Sequence, residues 1–96
     1  MHSFRLSAKA MEDLKSIGRY TGQIWGRTQR NKYLFMLDAS FNTIARHPEI
    51  GLACDHIRLG YHKYRAGRHL IFYRKKGKYI EIIRVLHDSM DIESHF

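Results

Sequence analysis

The chain has 96 residues, of which 44% are hydrophobic and 27% are charged, and its 17 Lys and Arg against 9 Asp and Glu give a net charge of +8. This length predicts a single domain over residues 1–96 with one core, and this balance of residue types excludes an intrinsically disordered chain. So large a positive surplus favours an acidic or polyanionic partner, such as nucleic acid or an acidic protein segment.

Redox state and location follow from equally simple features. Cys54 is the only cysteine, so an intramolecular disulfide is impossible and a reducing cytoplasm is expected. No apolar run approaches the roughly 20 residues that a membrane span requires, and the N-terminus lacks the apolar core of a signal peptide. We therefore expect a cytoplasmic protein without a membrane partner.

The first part of the sequence predicts a short strand followed by a helix. Phe4 and Leu6 alternate with polar residues, as strand residues do when one face is buried, and Ser7 is a suitable N-cap. Apolar residues then recur at three- and four-residue steps, which indicates an amphipathic helix, and Gly26 marks its end. Trp25, at that end, is expected to pack within the helical hairpin or the core.

A second helix begins almost at once and completes an antiparallel helical hairpin. It must end near Arg46, because His47 precedes Pro48 and the residue before a proline avoids the α conformation. The next segment, His47–Gly60, has no periodicity and contains several proline and glycine breakers. It is therefore expected to be a loop.

The stretch from Tyr61 to Leu86 predicts a three-stranded antiparallel meander, because runs rich in β-branched and aromatic residues are separated by two glycine-containing turns. Two-residue loops at Ala66–Gly67 and Lys76–Gly77 would place Tyr73 opposite Ile80. The predicted fold is therefore α+β, in the order β-α-α-β-β-β, with an N-terminal strand and a helical hairpin packed on an antiparallel sheet. The residues after this sheet are expected to form a short tail.

Side-chain alternation along these strands predicts two faces of different character. The face under the helices is expected to carry Tyr64, Ala66, Ile71, Tyr73, Ile80, Ile82 and Leu86, with His62, His69 and Arg84 toward one end. The other face is expected to carry Tyr61, Lys63, Arg65, Arg68, Arg74 and His87 around an apolar floor of Leu70, Phe72, Ile83 and Val85. A basic rim around an exposed apolar floor suits an amphipathic acidic peptide, and a plain solvated face is the alternative. Arg84 is expected to form an ion pair, for instance with Glu12 or Asp13.

The histidines and the single cysteine form no recognisable metal or catalytic motif. Cys54, His56 and His62 are three possible ligands, but their spacing matches no structural zinc site. No nucleophile motif surrounds Cys54, and phosphate-loop glycine patterns are absent from the sequence. The sequence therefore predicts no metal, no cofactor and no catalytic residue.

Several short motifs resemble the ParE toxins of bacterial type II toxin–antitoxin modules, within the larger group that includes the RelE-like ribonucleases. These motifs are the Leu14/Ile17/Tyr20 helix with Trp25-Gly26 after it, Pro48-Glu49-Ile50-Gly51, Arg58-Leu59-Gly60-Tyr61, Gly67–Arg74, Ile82–His87 and Met90-Asp91. The resemblance covers almost the whole chain and implies the same β-α-α-β-β-β fold. It also implies that the protein poisons DNA gyrase, so that cleaved DNA accumulates. A ParD-like antitoxin would neutralise it with a flexible C-terminal segment and would itself bind the operator DNA.

Two other functions remain open at this point. RelE-like ribonucleases typically carry an arginine at the position of Leu70 and a tyrosine or basic residue at that of Asp88, where an acid repels the reacting phosphate. His87 alone is a poor acid–base site, which disfavours RNA cleavage. A plain nucleic-acid-binding module is disfavoured because the predicted sheet lacks paired exposed aromatic residues. The predicted target- and antitoxin-binding residues are Lys63, Arg65, Arg68, Leu70, Phe72, Arg74, His87, Met90 and Asp91.

Overall fold

The computed structural model describes residues 3–96, which form two helices and a single mixed sheet. The elements are β1 (Phe4–Leu6), α1 (Ala8–Trp25), α2 (Arg27–Arg46), β2 (Leu52–Ala53), β3 (His62–Ala66), β4 (His69–Lys76) and β5 (Tyr79–His87), with 3₁₀ turns at Pro48–Ile50 and Ile92–His95. The strand order is β1-β5-β4-β3-β2, and β1 runs parallel to β5 while the other pairs are antiparallel. The predicted α+β class and element order are confirmed, and β2 is an additional short edge strand within the segment predicted as a loop.

The helix boundaries follow from the capping residues that the sequence indicates. Ser7 caps α1, because its Oγ accepts the N–H of Ala10 at 3.0 Å and donates to the carbonyl of Ile83 at 2.7 Å. Gly26 lies at φ 90°, a left-handed conformation that lets α2 begin at the next residue. The chain leaves the helical conformation at His47, immediately before the proline, as predicted.

Both hairpin turns lie one residue later in the sequence than predicted. They occupy Gly67–Arg68 and Gly77–Lys78, and each begins with a glycine at positive φ, which glycine adopts without steric cost. Tyr73 consequently lies opposite Ile82 rather than Ile80. Because the pairing moves by two residues, the side chains of β3 and β4 keep the faces predicted for them.

A bulge in β5 reverses the predicted faces of the last residues of this strand, whereas Ile80 and Ile82 keep theirs. The pairing of β4 with β5 shifts by one residue, which leaves Ile83 without a partner. Beyond the bulge, Val85 lies in the core beneath the helices and Leu86 packs on the opposite face, the reverse of the prediction. The same shift turns His87 toward the helices, since an extra residue changes the face of every residue after it.

The apolar floor predicted to be exposed is instead a second, smaller core. Phe72 has no exposed surface, and Leu70 packs against the same cluster. The segment 54–61 and the C-terminal 3₁₀ turn cover this face, and the ring of Phe96 lies 5.0 Å from that of Phe72. The prediction of an open docking floor at these two residues is therefore wrong, because the chain's own loop buries the apolar surface.

The predicted ion pair of Arg84 is confirmed and ties α1 to β5. Asp13 accepts hydrogen bonds from Arg84 Nε at 2.8 Å and Nη2 at 2.9 Å. Asp13 also accepts the backbone N–H of Val85 at 2.9 Å. β1 pairs with β5 only as far as Ile82, so no residue of β1 is opposite Val85. The hydrogen bonds that Arg84 donates to Asp13 raise the pKa of the Arg84 guanidinium. This carboxylate therefore replaces a missing strand partner as well as neutralising a charge.

Candidate functional site

A groove of about 990 Å³ lies between the second half of α1, the start of α2 and the end of the sheet that carries the β3–β4 turn. Its main apolar lining residues, here called the apolar wall, are Tyr20, Trp25 and Met90. The other end is polar and is formed by Tyr33, Arg68, His69, His87 and Ser89. The groove therefore joins an aromatic surface to a cluster of hydrogen-bonding and titratable groups.

The apolar wall is open to solvent. Tyr20 is 64% exposed, Trp25 is 68% exposed and Met90 is 44% exposed. The prediction that Trp25 packs within the hairpin or core is wrong, because Gly26 turns the chain directly after it and leaves its ring outside. Clustered exposed aromatic and sulfur-containing side chains are characteristic of surfaces that bind another protein.

The hydroxyl of Tyr33 organises the polar end. It lies 2.5 Å from Nδ1 of His69 and accepts the backbone N–H of Arg68 at 3.0 Å. Gly67 permits this approach, since a Cβ atom at that position would lie 2.8 Å from the same hydroxyl oxygen. A side chain of α2 thus fixes the β3–β4 turn and the histidine that follows it.

Two imidazoles meet at this end of the groove. The rings of His69 and His87 lie 5.2 Å apart in an edge-to-face arrangement. Nδ1 of His87 accepts the backbone N–H of Ser89 at 3.1 Å and lies 2.7 Å from its hydroxyl, which holds the ring in place. Regular alternation of side chains along the strands predicts that His69 and His87 lie on opposite faces of the sheet. The bulge at Ile83 brings the two histidines to the same face.

Asp88 draws two of the predicted basic residues together. Its Oδ2 lies 2.9 Å from Arg65 Nη1 and 3.3 Å from Arg68 Nε. The hydrogen bond from Arg65, followed by that from Arg68, lowers the pKa of this carboxyl. The acid beside the groove is therefore held ionised by two arginines that offset its charge.

The remaining predicted residues lie away from the groove. Lys63, Leu70, Phe72 and Arg74 are on the opposite face of the sheet, where Arg74 Nε bonds Glu81 Oε1 at 2.8 Å. Asp91 is exposed at the start of the C-terminal 3₁₀ turn. Of the nine predicted binding residues, those that line the groove are Arg68, His87 and Met90. Tyr20, Trp25, Tyr33 and His69 also line the groove and were not among the predicted binding residues.

Other candidate chemistry receives no geometric support in the described part of the chain. Among residues 3–96, no three His, Cys, Asp or Glu side chains come together as a metal site. The Cys54 thiol is fully buried, and burial raises its pKa, which makes it a poor nucleophile. No helix within this range is long and apolar enough to cross a membrane.

The environment of His69 makes folding stability depend on pH. Burial, reinforced by the nearby His87, lowers the pKa of His69 from 6.5 to about 4. As pH falls from 6.5 toward 4, the unfolded chain therefore binds a proton before the folded chain does, and stability decreases. We expect His69→Asn to reduce the loss of unfolding free energy between pH 7 and pH 4.5 by roughly 2 kcal/mol, measured by urea denaturation.

The control for this measurement is His56→Asn, because His56 is exposed and lies outside the groove. This variant should show the same pH dependence as the original chain. Equal pH dependence in His69→Asn and the original chain would mean that His69 titrates normally and is not held neutral by its surroundings.

The fold is shared with solved toxin–antitoxin structures. A chain of the chromosomal ParDE toxin–antitoxin system from P. aeruginosa matches with a TM-score of 0.78 at 20% identity, covering 91% of this chain and 96% of that one. A chain of the toxin–antitoxin complex RelBE2 from Mycobacterium tuberculosis matches with a TM-score of 0.63, also at 20% identity, covering 90% of this chain and 96% of that one. These likenesses define the class of fold.

The sequence comparisons are more specific. The family described as "ParE toxin of type II toxin-antitoxin system, parDE" matches residues 4–92. Toxin ParE1 of Caulobacter vibrioides is 42% identical over 95 residues, which cover 99% of this chain and 98% of that protein. Toxin ParE1 of Mycobacterium tuberculosis is 42% identical over 91 residues, covering 94% and 93%. The chain therefore belongs to the ParE family of toxins of type II toxin–antitoxin systems.

Proposed function

We propose that this toxin acts by binding DNA gyrase and inhibiting it, with the groove as the contact surface. Gyrase is the target that the resemblance to ParE toxins implies. The observation that supports a binding role for the groove is that exposed Tyr20, Trp25 and Met90 line it together with Arg68. Tryptophan, tyrosine and arginine are the residues that most often dominate the energy of protein–protein contacts.

The geometry explains how such a contact gains strength. Trp25 and Tyr20 offer large rigid surfaces that lose little conformational entropy when a partner covers them. Arg68 is already oriented by Asp88, so its guanidinium presents donors to an acidic group of the partner with little further ordering. Inhibition by binding requires no bond making or breaking by the toxin.

We further propose that a ParD-like antitoxin neutralises the toxin through an acidic, amphipathic C-terminal segment. The net charge of +8 complements such a segment. The solved structures with this fold come from toxin–antitoxin systems, which supports an antitoxin as partner. Recognition of operator DNA would belong to the antitoxin, with the toxin present in the complex through it.

Plasmid supercoiling by purified gyrase tests the proposed target. We expect the toxin to inhibit supercoiling and to increase the amount of linear, cleaved plasmid. Trp25→Ala and Arg68→Ala should each raise the concentration needed for half-inhibition about tenfold or more, because each removes a central contact. Phe35→Ala and Arg46→Ala are the matched controls, since both residues are exposed but lie outside the groove.

The possible outcomes distinguish whether gyrase is the target from whether the groove is the contact surface. Inhibition that all four variants retain would place the contact elsewhere on the toxin. An absence of any effect on gyrase at a large excess of folded protein would exclude gyrase as the target. An added antitoxin should restore supercoiling, and its failure to do so would contradict the proposed neutralisation.

The second candidate function is RNA cleavage on the ribosome, and one observation favours it. His87 is not isolated from other titratable groups, because His69 and Tyr33 lie with it at the polar end of the groove. Two imidazoles can divide the roles of general base and general acid. Ribosome-dependent messenger RNA cleavage that His87→Ala abolishes, without any effect on gyrase, would establish this function in place of the first.

A further inference from the structure

The β4–β5 hairpin extends beyond the rest of the sheet at the end opposite the groove. β3 pairs with β4 only as far as Tyr73, and β1 pairs with β5 only from Ile80. Among residues 3–96, residues 74–79 therefore form a two-stranded ribbon that pairs with no third strand. β4 is eight residues long, so this tip lies roughly 23 Å from the groove at about 3.3 Å per residue.

The tip of this ribbon carries a concentrated positive charge. Lys75, Lys76 and Lys78 are all exposed, and within residues 3–96 none of them forms an ion pair. The cations at the base of the ribbon are placed differently, because Arg74 pairs with Glu81 and Arg5 lies over the ring of Tyr79. The three lysines are thus available to an anionic partner.

We propose that this hairpin tip is a binding site for the phosphate backbone of duplex DNA. The site would act independently of base sequence, since lysine ammonium groups contact phosphates as point charges. Each lysine that neutralises a phosphate releases condensed counterions, which is the main source of non-specific DNA affinity.

The surroundings of the lysines favour duplex DNA over other polyanions. Within the described chain, β3, β4 and β5 carry no exposed large hydrophobic side chain that could anchor an amphipathic peptide or enter a lipid bilayer. Single-stranded nucleic acid is generally held by exposed aromatic rings, which this ribbon also lacks. A two-stranded ribbon fits the major groove of B-form DNA, which is about 12 Å wide, whereas that of A-form RNA is too narrow.

DNA binding at the hairpin tip would be compatible with the proposed function, because the tip and the groove lie at opposite ends of the sheet. A toxin that contacts a DNA-processing enzyme through its groove would present the lysines to duplex DNA from the far end of the sheet. The DNA-binding proposal does not depend on gyrase inhibition, however, because it concerns the isolated toxin and is tested without the enzyme.

The test compares two triple variants with equal net charge. Lys75→Gln/Lys76→Gln/Lys78→Gln removes the hairpin charges, and Lys9→Gln/Lys15→Gln/Lys32→Gln removes three exposed charges from the helices. Binding to a fluorescent 25-base-pair duplex is measured by anisotropy at several salt concentrations. Circular dichroism melting confirms that both variants are folded.

We expect the hairpin variant to bind at least tenfold more weakly near 50 mM salt, and its plot of log K against log salt to lose about two to three units of slope. The helix variant should change affinity less than threefold. The proposal would be overturned if the two variants lost equal amounts of DNA affinity, or if the original chain showed no detectable duplex binding. Tighter binding to single-stranded DNA or to anionic lipid vesicles than to the duplex would also overturn it. Two duplexes of unrelated sequence should bind alike, and a strong preference between them would contradict contact through phosphates alone.

Discussion

Phe72→Ala is expected to lower the free energy of unfolding by about 3–5 kcal/mol. Phe72 has no exposed surface and packs with Cys54, Tyr61 and Leu86, and the ring of Phe96 lies 5.0 Å away. Truncation therefore loses the transfer free energy of the ring and leaves a cavity that the β4 backbone cannot close. Urea denaturation at pH 7, followed by circular dichroism, measures the change.

The control for Phe72 is Leu59→Ala, because Leu59 is 85% exposed in the segment that covers the same face. It should change stability by no more than about 0.5 kcal/mol. The comparison also decides between a structural and a binding role for the face opposite the helices. A stable Phe72→Ala variant that loses antitoxin binding would show that this face opens to a partner, contrary to the packing described above.

Asp13→Ala is expected to cost about 3–5 kcal/mol, because it leaves the Arg84 guanidinium without its carboxylate in a site where both side chains are 13% exposed. It also removes the acceptor for the backbone N–H of Val85. Asp13→Asn keeps an acceptor for that N–H but not the charge, so its cost should be intermediate. Denaturant unfolding at pH 7 measures the free energy of unfolding of the original chain, Asp13→Ala and Asp13→Asn under the same conditions.

Glu12→Ala provides the matched control for Asp13, since Glu12 is the exposed acid next to it on α1. Its effect should stay within about 0.5 kcal/mol. The double variant Asp13→Ala/Arg84→Leu should recover part of the loss, because it no longer buries an uncompensated charge. A cost for Asp13→Ala no larger than that for Glu12→Ala would mean that the ion pair adds nothing to stability.

The helical hairpin was predictable because its determinants are local. Ser7 and Gly26 are strong capping residues, and Pro48 prevents the second helix from continuing. The strands were recognisable for the same reason, but their pairing was not. Moving each turn by one residue shifts the strand pairing by two residues and leaves every alternation pattern intact. The sequence alone therefore could not decide whether Gly67 is the first or the second residue of its turn.

The candidate site was less predictable because it depends on contacts between distant segments. Arg68, His87 and Met90 were selected, and the structure places them on one groove. Tyr33 and His69, which contact each other at the polar end of the groove, lie 36 residues apart in the sequence. No sequence motif or spacing indicates that they meet. The bulge at Ile83 lies between Ile82 and Arg84 with no glycine to mark it, and it moved His87 to the helix side.

The position of β5 in the sheet has a consequence for synthesis on the ribosome. β5 lies between β1 and β4, and the parallel pairing of Phe4 with Ile80 joins the start of the chain to its last strand. During translation the helical hairpin therefore emerges long before the strand that bridges β1 to the rest of the sheet. Contacts of such long sequence separation close late, so the toxin acquires its groove only after β5 and the groove residues up to Met90 have left the ribosome.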